Sequence, residues 1–275
     1  MKSDVLVNLL KASAGSHTYD VWIPSQKRNV KFMPLTVGQQ KTISKLAMDV
    51  QTSRVEDEMT YRLLKKDMIL SLSTEQLDET SLTEIDAIAI SAAIRKSNIM
   101  SPLKMEMSCD CGEKIGFSVD FGVIIEKCRD FKFREVEISR EIQGKRWKIV
   151  IGDASFDDSI SYKNLQAMYK EEGANRLVID VENFQFIDWP AQFIKRVFVD
   201  EEEVEDFPDM DLFDKIGFFV KVPQEVWFGE GNVIDACMEH FSQKYYSDLV
   251  FQDVKCSKCD KVHKGAVSYD NFFTL

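Results

Sequence analysis

Proline and glycine are scarce in this 275-residue sequence, 6 and 12 residues respectively, which excludes collagen-like repeats and linker-dominated chains. Histidine is scarcer still, with three in all, leaving little machinery for acid–base catalysis near neutral pH. Long apolar runs are missing. Uncharged stretches such as residues 87–94 fall well short of the roughly 18–20 residues that cross a bilayer, so no membrane span is expected. Met1-Lys2-Ser3-Asp4 leads only into a short apolar patch, which lacks the pattern of a secretion signal. The expectation is a soluble protein kept in a reducing cytoplasm. Absent too are Gly-x-Ser-x-Gly, His-Glu-x-x-His, the Walker-type Gly-x-x-x-x-Gly-Lys and the dinucleotide-binding glycine fingerprint. The chain is therefore expected not to be an enzyme, although a carboxylate site without a motif stays as an alternative. What the sequence does have is 44% hydrophobic and 29% charged residues, enough apolar material for a sizeable core.

The formal net charge is −11, and it is unevenly spread. The window 200–214 (DEEEVEDFPDMDLFD) holds nine acids and no base, and outside it 37 acids face 35 bases. A near-neutral body lacks the basic footprint that nucleic acid demands, so no nucleic-acid partner is expected. The acidic window lacks the order of a calcium loop. It reads either as a solvated loop or as an anionic docking arm, with Phe207, Leu212 and Phe213 as tethers or anchors.

Along the chain, residues 19–33 read as two strands around a polar turn. Thr36 with Gln39 three residues on forms a capping-box pattern, followed by an apolar face of Ile43, Leu46, Ala47 and Val50. A second helix is expected over 56–72 on Met59, Leu63, Leu64, Met68 and Leu72, and a third starts at Thr83. Leu103, Met105 and Met107 alternate with polar residues, as do Ile115, Phe117, Val119 and Phe121. Cys109-Asp110-Cys111-Gly112 lies between, so a hairpin with two thiols at its tip is expected. Farther on, Trp147, Ile149 and Ile151 form a strand, and Asn232 with Asp235 starts a helix whose stripe includes Cys237 and His240. A second thiol pair, Cys256-Ser257-Lys258-Cys259, then sits between strand-like segments. The order strand, helices, strand, thiol pair, strand occurs twice. The expectation is an α+β fold of two pseudo-repeated halves, residues 1–127 and 128–275, each a helical layer with a Cys-tipped hairpin.

Six cysteines in a cytoplasmic chain argue against a disulfide framework. Cys237 on an apolar stripe and Cys128 without a nearby thiol read as small buried hydrophobes, and His240 reads as a core histidine. Cys109, Cys111, Cys256 and Cys259 differ, because turns offer thiols no hydrophobic reason to be there. Two such tips would complete a tetrahedral Cys₄ set for structural zinc, with His263 a further candidate beside the second pair. Against this, 144 residues separate Cys111 from Cys256, and the first pair has one intervening residue. Structural zinc and unmetallated turn cysteines both stay open.

The run Val30-Lys31-Phe32-Met33-Pro34-Leu35-Thr36-Val37-Gly38-Gln39-Gln40-Lys41 resembles the opening of the T4-type phage baseplate hub proteins. The resemblance continues through the helix at 86–96 into the hairpin at Cys109-Asp110-Cys111-Gly112, covering roughly residues 28–125. It implies a non-enzymatic phage tail protein that docks to other baseplate hub and tail proteins, as an assembly factor or a virion component. It also implies a location in the host cytoplasm during assembly, or in the tail of the particle. A zinc-ribbon adaptor is the alternative.

Overall fold

The computed structural model describes residues 18–50, 55–77, 81–99, 101–172, 187–228, 231–241, 251–267 and 272–273. The fold is α+β, as expected. Its division is not into contiguous halves: residues 1–78, 85–131 and 247–275 form one compact unit, and 79–84 with 132–246 form the other. Both Cys-tipped hairpins therefore belong to the same unit. The expected arrangement, one such hairpin in each of two domains split at 127/128, is corrected on that point. Alternating strand patterns around a turn reveal a hairpin, but not the unit in which it packs.

The first unit opens with β1 (Tyr19–Ile23) and β2 (Arg28–Phe32), an antiparallel hairpin that buries Val21, Ile23, Val30 and Phe32. The capping box at Thr36 forms: the Gln39 amide donates to Thr36 Oγ1 at 3.2 Å and the Thr36 amide donates to Gln39 Oε1 at 2.9 Å. It starts α1 (Val37–Val50), which buries Ile43 and Ala47. In α2 (Val55–Leu72) the buried stripe is Tyr61, Lys65, Met68, Ile69 and Leu72, whereas Leu63 and Leu64 are exposed. Helical spacing chose the right helix but the wrong face for those two leucines. Lys65 is buried with its ammonium over the rings of Tyr61 (5.6 Å) and Phe273 (5.8 Å), contacts that favour the cation there. α3 (Glu84–Asn98) is buried on every side from Ile85 to Arg95, the pattern of a helix at the centre of a core. β3 (Lys104–Ser108) pairs antiparallel with β4 (Lys114–Ser118). α4 (Phe121–Arg129) follows, its N-terminus capped by the Asp120 carboxylate, which accepts from the amides of Gly122 and Val123.

The second unit is built on a four-stranded antiparallel sheet: β5 (Glu135–Ile142), β6 (Lys145–Gly152), β7 (Ile194–Val199) and β8 (Glu202–Glu203), in that order. α5 (Phe156–Glu172), α6 (Leu212–Phe219) and α7 (Val233–Phe241) complete it. Ile149, Ile151, Val197, Phe207, Phe219, Trp227 and Phe241 are among its core residues. The cap expected at α7 is present, the Asp235 amide donating to Asn232 Oδ1 at 2.8 Å. Cys237 is fully buried, and His240 is only half-buried, edge-on to Phe241, so it is not a core histidine.

The acidic window is no arm. It forms β8, a short 3₁₀ turn (Phe207–Asp209) and the start of α6. Its nine carboxylate residues are exposed, while Phe207 and Leu212 are 0% and 1% exposed and tether it to its own unit. Phe213 alone of the three aromatic and aliphatic candidates faces outward.

In the first unit again, β9 (Phe251–Lys255) and β10 (Val262–Ala266) form the last hairpin.

Candidate metal centre

Two β-hairpins of the first unit supply the site. At the first tip, the Cys109 amide donates to the Glu113 carbonyl at 2.8 Å, and the Gly112 amide returns to the Cys109 carbonyl at 2.9 Å. Gly112 sits at φ +83°, a conformation that costs glycine little and other residues more. The second tip repeats the scheme: the Cys256 amide donates to the Lys261 carbonyl at 2.9 Å and the Asp260 amide to the Cys256 carbonyl at 3.0 Å. Each tight turn therefore holds two thiols on one side of its hairpin.

The hairpins meet through β4 and β9. Cys109, Ile115, Val254 and Cys256 form a small buried cluster, with Met107 and Phe117 packed against it. Gly265 on β10 makes that approach possible, since a Cβ there would lie 2.7 Å from Phe117 Cζ and 2.9 Å from Val254 Cγ2. Between the tips, Lys261 pairs with Asp110, and this pairing holds the Asp110 carboxyl below its ordinary range.

As a result the Sγ atoms of Cys109, Cys111, Cys256 and Cys259 all lie within 4.8 Å of one another. Cys109 and Cys259 are 3.5 Å apart, and Cys111 and Cys256 are 3.7 Å apart. Four sulfurs bound at 2.3 Å to one tetrahedral ion would be separated by about 3.8 Å. The donor set thus fits a metal ion, and all six cysteines of the chain are free thiols. Cys109 and Cys256 are buried, while Cys111 and Cys259 are exposed.

Electrostatics distinguish Cys256 from Cys109 and Cys259. Amide donation from Lys258 and Cys259 brings the Cys256 thiol down to about 7. The Cys111 amide favours a thiolate at Cys109, but desolvation and the neighbouring thiols of Cys111, Cys259 and Cys256 prevail and push it up to about 12. Cys259 is also raised: the Lys261 amide and Cys109 favour its anion, and desolvation with Cys256 and Cys111 outweighs them. At Cys256 the anion is thus favoured, and at Cys109 and Cys259 it is disfavoured as long as no cation neutralises it.

His263 does not join the four. Its Nε2 lies 3.1 Å from Cys109 Sγ, on the far hairpin's sulfur rather than beside the Cys256/Cys259 pair. With Nε2 protonated, the ring donates to that sulfur, the kind of outer contact that orients a ligand. Sequence reading found all four thiols. It missed the Lys261–Asp110 pair, the His263–Cys109 contact and the role of Gly265, none of which leaves a local signal. No family model, curated protein or solved structure matches the chain significantly.

Proposed function

We propose that the chain is a structural docking protein whose two cysteine hairpins are clasped by one zinc ion, and that it serves in the tail baseplate hub of a T4-type phage. The observation that carries the metal is the mutual approach of four sulfurs from segments 144 residues apart in sequence. Zinc suits this set because thiolates are soft donors and the ion needs no redox partner. It is the clasp and not the workplace. With four protein ligands no position is left open for substrate, as in structural sites. Cys109, Cys111, Cys256 and Cys259 would hold the ion as thiolates, with His263 donating to Cys109.

The phage reading rests on the resemblance over roughly residues 28–125, where the strand, the Pro34-Leu35-Thr36 helix start, α3 and the first cysteine hairpin follow one another in order. Partners are then other hub and tail proteins, met in the host cytoplasm during assembly or kept in the particle. Exposed Phe213 and Met238, together with the ordered acidic face at 200–214, support work by contact with a basic partner. Co-expression with the other hub proteins of such a phage, followed by size exclusion, tests the proposal. A stable complex is expected. Elution of the chain alone, with every hub protein tried, would remove the hub reading and leave the metal site to be judged by itself.

A further inference from the structure

The second unit contains an open cleft of about 620 Å³, within the range of small-molecule sites. The end of β6, the first turns of α5, the middle of β7 and the approach to α6 line it. At its floor the Lys215 Nζ meets Asp158 Oδ2 at 2.7 Å, both side chains 7% exposed, so that pair is satisfied within the protein. Lys195 is in a different position. Its stem lies across Gly152, where an added Cβ would be 3.3 Å from Lys195 Cγ, so the missing side chain makes room for the lysine. Among the described residues its ammonium has no hydrogen bond or ion pair, the carboxylates of Asp158, Asp153 and Glu135 acting on it through space. Its ammonium is pulled below the ordinary lysine value by burial first and by Lys215 second, against the weaker pull of Asp158, Asp153 and Glu135. A half-buried lysine without an acceptor is a poor device for stability, and a good one for receiving an anion.

The rest of the lining narrows the class of ligand. Six acidic side chains accompany four basic ones, so a polyanion such as a nucleoside triphosphate would be repelled. One carboxylate can be received at Lys195, and the lining of the cleft also carries the carboxylates of Glu135 and Asp209, acceptors of the kind an amino group needs. Phe133, Met210 and Leu212 supply apolar surface. We propose that this cleft binds a small amino-carboxylate, a ligand of free amino-acid type, with its carboxylate on Lys195 and its ammonium on the acidic rim. The proposal is independent of the metal centre and of the hub reading.

The test uses the full-length protein and the twenty free amino acids as probes, with acetate and ATP as comparisons, read by ligand-observed saturation-transfer NMR and titration. At least one amino acid should bind with a dissociation constant of roughly 1 mM or tighter, acetate more weakly, and ATP not at all. Lys195→Met, which keeps the stem over Gly152, should weaken that binding on the order of tenfold or more, while Lys195→Arg retains most of it. On the wild-type protein, the same amino acid should slow acetylation of Lys195, followed by peptide mass spectrometry. Absence of binding by all twenty, equal binding by Lys195→Met, or an unchanged acetylation rate would each overturn the proposal.

Discussion

Burial keeps Cys128 and Cys237 protonated far above the ordinary thiol value: the first is pushed up to about 12 by desolvation and the nearby Asp86 carboxylate, and the second is raised by desolvation alone. Neither thiol reaches solvent. With the metal centre stripped, iodoacetamide should therefore label Cys111 and Cys259 in the native protein, and should reach Cys128 and Cys237 only after unfolding, as peptide mapping would reveal. Fast labelling of Cys128 under native conditions would contradict its packing. The same raised values give a pH dependence. Burial also takes the phenols of Tyr19 and Tyr162 up to about 12 from 10.0. The unfolded chain loses these protons near their ordinary values, and the folded chain holds them until about pH 12. Their contribution to stability is thus complete below about pH 8, under the ordinary thiol value of 9.0, and is lost as pH rises toward 12. Urea midpoints should fall between about pH 8 and pH 10.5, and an unchanged midpoint would remove the buried-phenol account.

Two hairpins approach closely because one residue has no side chain. Gly265→Ala places a methyl against Phe117 and Val254, an overpacking expected to cost about 1–3 kcal/mol and to weaken metal retention by the same displacement. Competition with a chromophoric chelator measures it; unaltered retention would mean that the hairpins are held by something else. Hairpins and helix starts were the readable elements. Alternation at Met105, Met107, Ile115 and Phe117 predicts β3 and β4, and the Thr36–Gln39 and Asn232–Asp235 pairs fix two helix N-termini, because these signals are local. The face of α2 was not readable, since its stripe includes Lys65, whose ammonium lies over Phe273 from the far end of the chain as well as over Tyr61 of its own helix. In the acidic window Phe207 and Leu212 are tethers, one of the two readings that the sequence allows; composition alone does not choose between tether and anchor, because that depends on which side chains the fold buries. Phe207→Ala should accordingly destabilise the second unit by about 3–5 kcal/mol, whereas Phe213→Ala should leave the melting temperature unchanged.

At the scale of the whole molecule, the last 29 residues return to the unit begun by the first 78, across an intervening unit of residues 132–246. A metal bound by Cys109 and Cys111 from one segment and by Cys256 and Cys259 from the other would tie that return, closing a chain loop of over a hundred residues. All four thiols were legible as turn cysteines and their meeting at one site as one of two open readings, because both tips carry the same donors; spacing could not choose between the readings with 144 residues between the pairs. Loss of the ion should therefore be felt as instability of the first unit rather than as loss of a reaction. Cys259→Ser, which changes one exposed ligand, should lower metal affinity by an order of magnitude or more and lower the melting temperature with it. The central claim is that four sulfurs share one ion. It is tested most directly by zinc K-edge X-ray absorption, with elemental analysis, on protein purified under reducing conditions without chelator. The account predicts one zinc per chain in a shell of four sulfurs at about 2.3 Å. Protein free of zinc, or zinc in a shell of nitrogen and oxygen, would contradict it.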